Sequence, residues 1–212
     1  MIIFNKYLVE KRTDSQFYSF TGKGFKNGSY VGGHCRWRDD PSAFAGAGKP
    51  KAVEVDLPAE LEKAGKDAIT EYAKKSAVPE GVDVPGFEKV VVGKFGLLHG
   101  VRAFTGAFRA DKARPQEKLN LMAMASAPEI IRNSVPVQFR DADESDRGKP
   151  VKGIVVLAGA VLPPDGKVRP VRITVTVSAY CDFRGDGPDW EKYEIYTLHS
   201  INVLPPGTDV RL

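Results

Sequence analysis

Cysteine, histidine and long apolar runs are all scarce in this chain, and each scarcity closes off a class of protein. Two cysteines, Cys35 and Cys181, are too few for a disulfide framework and lack C-x-x-C spacing. The expectation is free thiols in a reducing compartment, not a stapled secreted fold or a zinc ribbon. His34, His99 and His199 are all the histidines. A four-ligand zinc site would have to draw on most of these five residues across the whole chain, so neither a metal nor any other cofactor is expected. Adjacent His34 and Cys35 would project to opposite sides of a strand. No stretch approaches the ~18 apolar residues that a membrane span needs. The N-terminal MIIFNKYLVEKRTD has too short an apolar run, and no small-residue cleavage site, for a signal peptide. These absences predict a cytoplasmic protein without a membrane partner.

Catalytic signatures are missing too. Around Gly48-Lys49, the closest approach to a P-loop, Ala43 replaces the first glycine and Pro50 the metal-binding hydroxyl. Gly22, Gly24 and Gly28 do not make G-x-G-x-x-G, and they open no helix. Neither G-x-S-x-G nor H-E-x-x-H occurs. Asp141, Asp143, Glu144 and Asp146 lack the glycine and closing glutamate of a calcium loop, and read as a solvated charged turn. Arg184-Gly185-Asp186 is a chance tripeptide in a polar turn. A non-catalytic protein is expected. Were there an enzyme site, it would be sought at His34 and Cys35 or on the polar strand face described below.

What the chain does have is the makings of one globular domain. It has 212 residues, 42% of them hydrophobic and 27% charged, which is far from the composition that leaves chains disordered. A single domain over 1–212 is expected, and a division into two lobes, if there is one, falls at the proline-punctuated connector PEGVDVPG, 79–86. Short β-type runs recur at 2–10, 16–20, 52–57, 89–95 and 135–139. Near the C-terminus GIVVLAGAVL (153–162) and VRITVTVSAY (171–180) flank a Pro-Asp-Gly turn, which predicts a hairpin. Its first arm is apolar throughout and should be buried on both faces. Its second alternates, with Val171, Ile173, Val175, Val177 and Ala179 against Arg172, Thr174, Thr176, Ser178 and Tyr180, so one face of the sheet is expected to be solvated or bound.

Helical periodicity runs from Asp56 and Pro58 to about Ala77. A second helical stretch starts near Pro115 and restarts at Ser126-Ala127-Pro128-Glu129, where Ser126 and Glu129 have capping-box spacing and Pro128 breaks the ladder. Met122 and Met124 read as core filler. With strands before, between and after the helices and no βαβα alternation, the fold class is α+β: a mainly antiparallel, β-rich sheet with two or three short helices.

Charge supplies the functional signal. The net charge is only +4, but it is unevenly spread. Residues 1–51 carry nine Lys or Arg against four acids, and residues 89–118 carry seven against two, so the rest of the chain is acidic. Both basic stretches are rich in aromatics and glycine, and nine of the 20 aromatic residues fall in the first 44 positions. Single-stranded nucleic acid is held by this combination, in which cations follow phosphates while ring faces stack on bases. The expected function is therefore non-catalytic nucleic-acid binding, to a single-stranded or backbone-read substrate, with the chain acting alone or in a larger homo- or hetero-oligomeric complex. Lys23, Lys26, Arg36, Arg38, Lys94, Arg102 and Arg109 are the candidate phosphate contacts, and Tyr30, Trp37 and Phe104 the candidate stacking platforms. For this to work, residues 23–38 and 94–109 must share one face. The competing expectation is a structural subunit of a viral particle or multi-protein assembly without nucleic-acid contact, since loops so rich in glycine and proline often need neighbours to hold them.

Overall fold

The computed structural model describes residues 48–101, 110–141, 151–182 and 189–211. Across them seven strands make one sheet: β1 (Ala52–Glu54), β2 (Val78–Asp83), β3 (Lys89–Val92), β4 (Val135–Asp141), β5 (Val151–Leu162), β6 (Arg169–Asp182) and β7 (Asp189–Val203). Four α-helices accompany it: α1 (Lys66–Lys75), α2 (Lys94–His99), α3 (Pro115–Ala125) and α4 (Ala127–Arg132).

The expected hairpin is the centre of the sheet. β5 and β6 pair antiparallel from Val151–Ser178 to Val161–Arg169. The turn between them places Gly166 at φ +72° and closes with the Gly166 N–H donating to the Pro163 carbonyl at 3.0 Å. Asp165 accepts from the Lys167 N–H and binds the Arg169 guanidinium, which pins the second arm to the turn. As the run of apolar residues requires, β5 is buried on both faces, with Val155, Val156 and Leu157 all fully covered.

The strands run in the order β1-β5-β6-β7-β3-β2, with β4 also on β5. This corrects the mainly antiparallel expectation: the fold is α+β, but the sheet is mixed, because β1 lies parallel to β5 and β3 parallel to β7. Turn residues betray local hairpins only, whereas these two pairings join segments about a hundred residues apart. β4 and β1 share one edge of β5, the first antiparallel along Gly153–Ala158 and the second parallel along Ala160–Leu162.

Helices cover one face. α2 and α3 pack on β7, while α4 touches β1, β5 and β2. Since β1 and β2 stand at opposite ends of the strand order, the sheet curls around α4, and Ile130 and Ile131 are fully buried there. The hydrophobic core joins these two side chains to Leu61, Ile69, Leu97, Leu121, Met124, Leu157, Ile173, Leu198 and Ile201. Met124 is thus the core filler that its position suggested.

The described residues hold four α-helices rather than two or three, and the two expected helical stretches differ from expectation in detail. The long periodic segment splits into a 3-10 turn at Ala59–Leu61 and then α1, because Gly65 is extended (φ −88°, ψ 179°) and starts the helix anew. Proline does divide α3 from α4, but the Ser126 side chain makes no capping bond. The reciprocal bond forms one helix earlier, where the Glu117 carboxylate accepts from the Arg114 backbone N–H at 2.8 Å and from its guanidinium.

The polar face of β6 also differs from its expectation. Thr174 and Thr176 are buried, as are Thr197 and Ser200 beside them on β7. Arg172 is engaged with the C-terminal segment, its guanidinium donating to the carbonyls of Val210 and Arg211 at 2.6 Å each. Alternation marks two faces of different chemistry, but hydroxyl side chains can be covered by the chain's own backbone as readily as by solvent.

Candidate nucleic-acid interface

Of the residues singled out for nucleic-acid binding, Lys94 lies within the described part of the chain. Lys23, Lys26, Tyr30, Arg36, Trp37 and Arg38 lie outside it, as do Arg102, Phe104 and Arg109, and so do His34 and Cys35. The surface around Lys94 is built as follows.

β3 ends at Val92, and Gly93 stays extended (φ −98°, ψ 156°) before the chain turns into α2 at Lys94. The run KVVVGKF is therefore not one strand, and its last two residues open a helix instead. Along α2 and its C-cap the spacing of four brings Gly96 and Gly100 onto the side facing β7, while Phe95 and His99 share the outward side. Leu97 is fully buried beneath them. Phe95 is 53% exposed and, with Val168, is one of two large apolar side chains so exposed among the described residues. The Lys94 ammonium sits over its ring, 4.8 Å from the centroid, in cation–π contact.

Further cations stand close by. α1 packs against α2, and its last turn presents Lys74 and Lys75. Lys74 binds the Glu71 carboxylate directly, and that bond is the main reason the carboxyl titrates below its usual range, with Lys75 and Lys94 adding to the effect. Three ammonium groups thus lie close enough to influence one carboxylate, which leaves a local positive excess. Glu71 and Lys74 are both about half exposed, so this is a wet surface where anionic ligands meet little desolvation cost.

A second aromatic feature adjoins it. The His99 and His199 rings lie 4.3 Å apart, centroid to centroid, inclined by 46°. His199 is supplied by a β-bulge: β6 pairs Thr174 with Ser200 and Val175 with Leu198, so His199 is the extra residue on β7. Reading the chain alone missed this pair, because the two histidines are a hundred residues apart and neither sits in a motif. The signal that could have found it is the phase slip in YTLHSINV, where the apolar positions step from Tyr196 and Leu198 to Ile201 and Val203.

Elsewhere the described residues offer little chemistry. No group of three or more His, Cys, Asp or Glu among them could enclose a metal ion. An open cleft of about 450 Å³ between β5, the hairpin turn and the C-terminal segment has a mostly apolar wall, with Ala158, Ala160, Val168 and Pro170 facing the polar Thr208 and Asp209. No described helix is long and apolar enough to cross a membrane. No protein-family model, curated protein or solved structure matches the chain.

Proposed function

We propose that this protein binds nucleic acid without catalysis, taking single-stranded or backbone-read substrate. The observation that carries the reading is the exposed Phe95 ring with Lys94 over it and Lys74 and Lys75 on the neighbouring helix. An exposed ring beside ammonium groups is what a stacked base and its phosphate need: each base–aromatic stack contributes about 1–3 kcal/mol, and the cations displace counterions from the backbone. Phe95 thereby joins Tyr30, Trp37 and Phe104 as a stacking platform. Lys74 and Lys75 join Lys23, Lys26, Arg36, Arg38, Lys94, Arg102 and Arg109 as phosphate contacts. The setting is a reducing cytoplasm in which Cys35 and Cys181 remain thiols.

Fluorescence anisotropy with a labelled single-stranded oligonucleotide at two salt concentrations tests the reading. Binding that weakens steeply as salt rises supports it, and absence of binding at low salt overturns it. Light scattering on the same samples separates a chain that binds alone from one that coats the strand as an assembled subunit.

A further inference from the structure

We propose that His99 and His199 together form a binding site for a divalent late transition-metal ion, zinc or copper(II). The proposal rests on the geometry of the pair and is independent of nucleic-acid binding.

Imidazole nitrogen is a strong donor to these borderline-soft ions, and two imidazoles from different elements can hold one ion in common. With metal–nitrogen bonds of about 2.0–2.1 Å, tetrahedral coordination puts the two donor nitrogens about 3.4 Å apart. Rings with centroids 4.3 Å apart, inclined by 46°, stand close enough for one nitrogen of each to meet a shared ion. Both residues are exposed, so an ion reaches the rings directly from solvent.

The backbones that carry the two rings are fixed relative to one another. His99 is the last residue of α2, between two glycines that let the helix lie directly against β7. The Gly100 carbonyl next to it accepts from the Asn120 side chain at 3.0 Å, and the same side chain accepts from the Val203 N–H at 3.0 Å. Helix end and strand are therefore tied together through Asn120. Donors held on regular elements in this way lose little entropy when the ion arrives. The bulge also turns His199 out of the alternating pattern of β7 and toward the helix, which is a recurrent use of bulges near ligand sites. Since no third His, Cys, Asp or Glu among the described residues completes an enclosing set, the remaining positions are left to water or an external ligand. An open site of this kind exchanges its ion, unlike a closed structural one.

The test uses the full chain, prepared without a polyhistidine tag, and copper(II) alone as probe. Titration followed by electron paramagnetic resonance should give one bound ion whose superhyperfine pattern reports two nitrogen donors. His99→Ala and His199→Ala should each abolish the two-nitrogen pattern and weaken binding by at least about 10–100-fold, the cost usually seen when even a ligand's supporting partner is removed. His34→Ala should leave both unchanged. Because both rings are exposed, circular dichroism and thermal melts should show the variants folded like the parent. A two-nitrogen spectrum that survives either His99→Ala or His199→Ala overturns the proposal, and so does the absence of a bound copper signal in the parent.

Discussion

A Cβ built on Gly96 would stand 2.1 Å from the carbonyl oxygen of Leu198. No real side chain tolerates that distance, and the obstacle is backbone, which cannot rotate aside. One turn later Gly100 meets the Ile201 carbonyl in the same way, at 1.9 Å. Residues of helical spacing but no side chain thus set how closely α2 approaches β7. Gly96→Ala should destabilise the protein by about 1–3 kcal/mol or more through overpacking, although alanine is the better helix former by about 1 kcal/mol. Urea unfolding would show a lower midpoint at unchanged slope. An unchanged or raised midpoint would mean that α2 can lift off the strand at little cost.

Asn120 fastens the same region from the other side. Its amide donates to the Gly100 carbonyl, and its oxygen accepts from the Val203 N–H. Asn120→Ala leaves both backbone groups without this partner, in a part of the fold where Val203 is only 3% exposed. A loss of about 1–3 kcal/mol is expected in chemical denaturation. A change within about 0.5 kcal/mol, the usual range for surface positions, would show that water takes over the bridge.

The Asp165–Arg169 pair gives a pH dependence whose sign can be stated. The Arg169 hydrogen bond, helped by the Lys167 backbone N–H, lowers the Asp165 carboxyl from 3.8 to about 2. A depressed folded-state value means the charged form is favoured by folding, so the contribution to stability is complete above 3.8 and is lost as the pH falls through about 2. Carbon-detected NMR titration should place the Asp165 midpoint near the lower value, and Arg169→Gln should move it up towards the ordinary one. Asp165→Asn should remove this part of the acid dependence. A midpoint that ignores Arg169→Gln would assign the shift to the turn backbone instead.

Nucleic-acid binding separates into stacking and charge at neighbouring residues. Phe95→Ala should weaken single-strand binding by about 1–3 kcal/mol while leaving its salt dependence intact. Lys94→Gln should lower the slope of log affinity against log salt by about 0.7 for each phosphate that the ammonium no longer neutralises. Because Phe95 is half exposed, its removal should change stability by less than about 0.5 kcal/mol. An equal fall in slope for both variants would argue that Phe95 matters only by holding Lys94 in place.

How much of this was legible in the chain depends on the range over which each signal acts. The β5–β6 hairpin was readable because a Pro-Asp-Gly turn and two complementary apolar patterns lie within thirty residues. The α3–α4 break was readable from Pro128 alone. The parallel pairings β1–β5 and β3–β7 were not, since each joins strands with most of the fold between them and no turn residue records the encounter. At the candidate site, Lys94 was visible as charge. The exposure of Phe95 was not, because it depends on a helix starting where β3 was expected to continue. The role of Gly96 and Gly100 was not legible either, because it exists only against the Leu198 and Ile201 carbonyls of β7.

The bulge at His199 has a consequence for how β7 finds its place. Along β6 the inward positions Val171, Ile173, Val175 and Val177 repeat without interruption, and they are fully buried. Along β7 they do not: Tyr196 and Leu198 face inward in one phase, Ile201 and Val203 in the other. A ladder paired without the extra residue would keep alternation on one half of β7 only by putting the other half out of phase, so apolar side chains would leave the core. The single extra residue therefore acts as an alignment mark. Of the registers open to two long and otherwise repetitive strands, it favours pairing in which both halves of β7 bury their apolar side chains together.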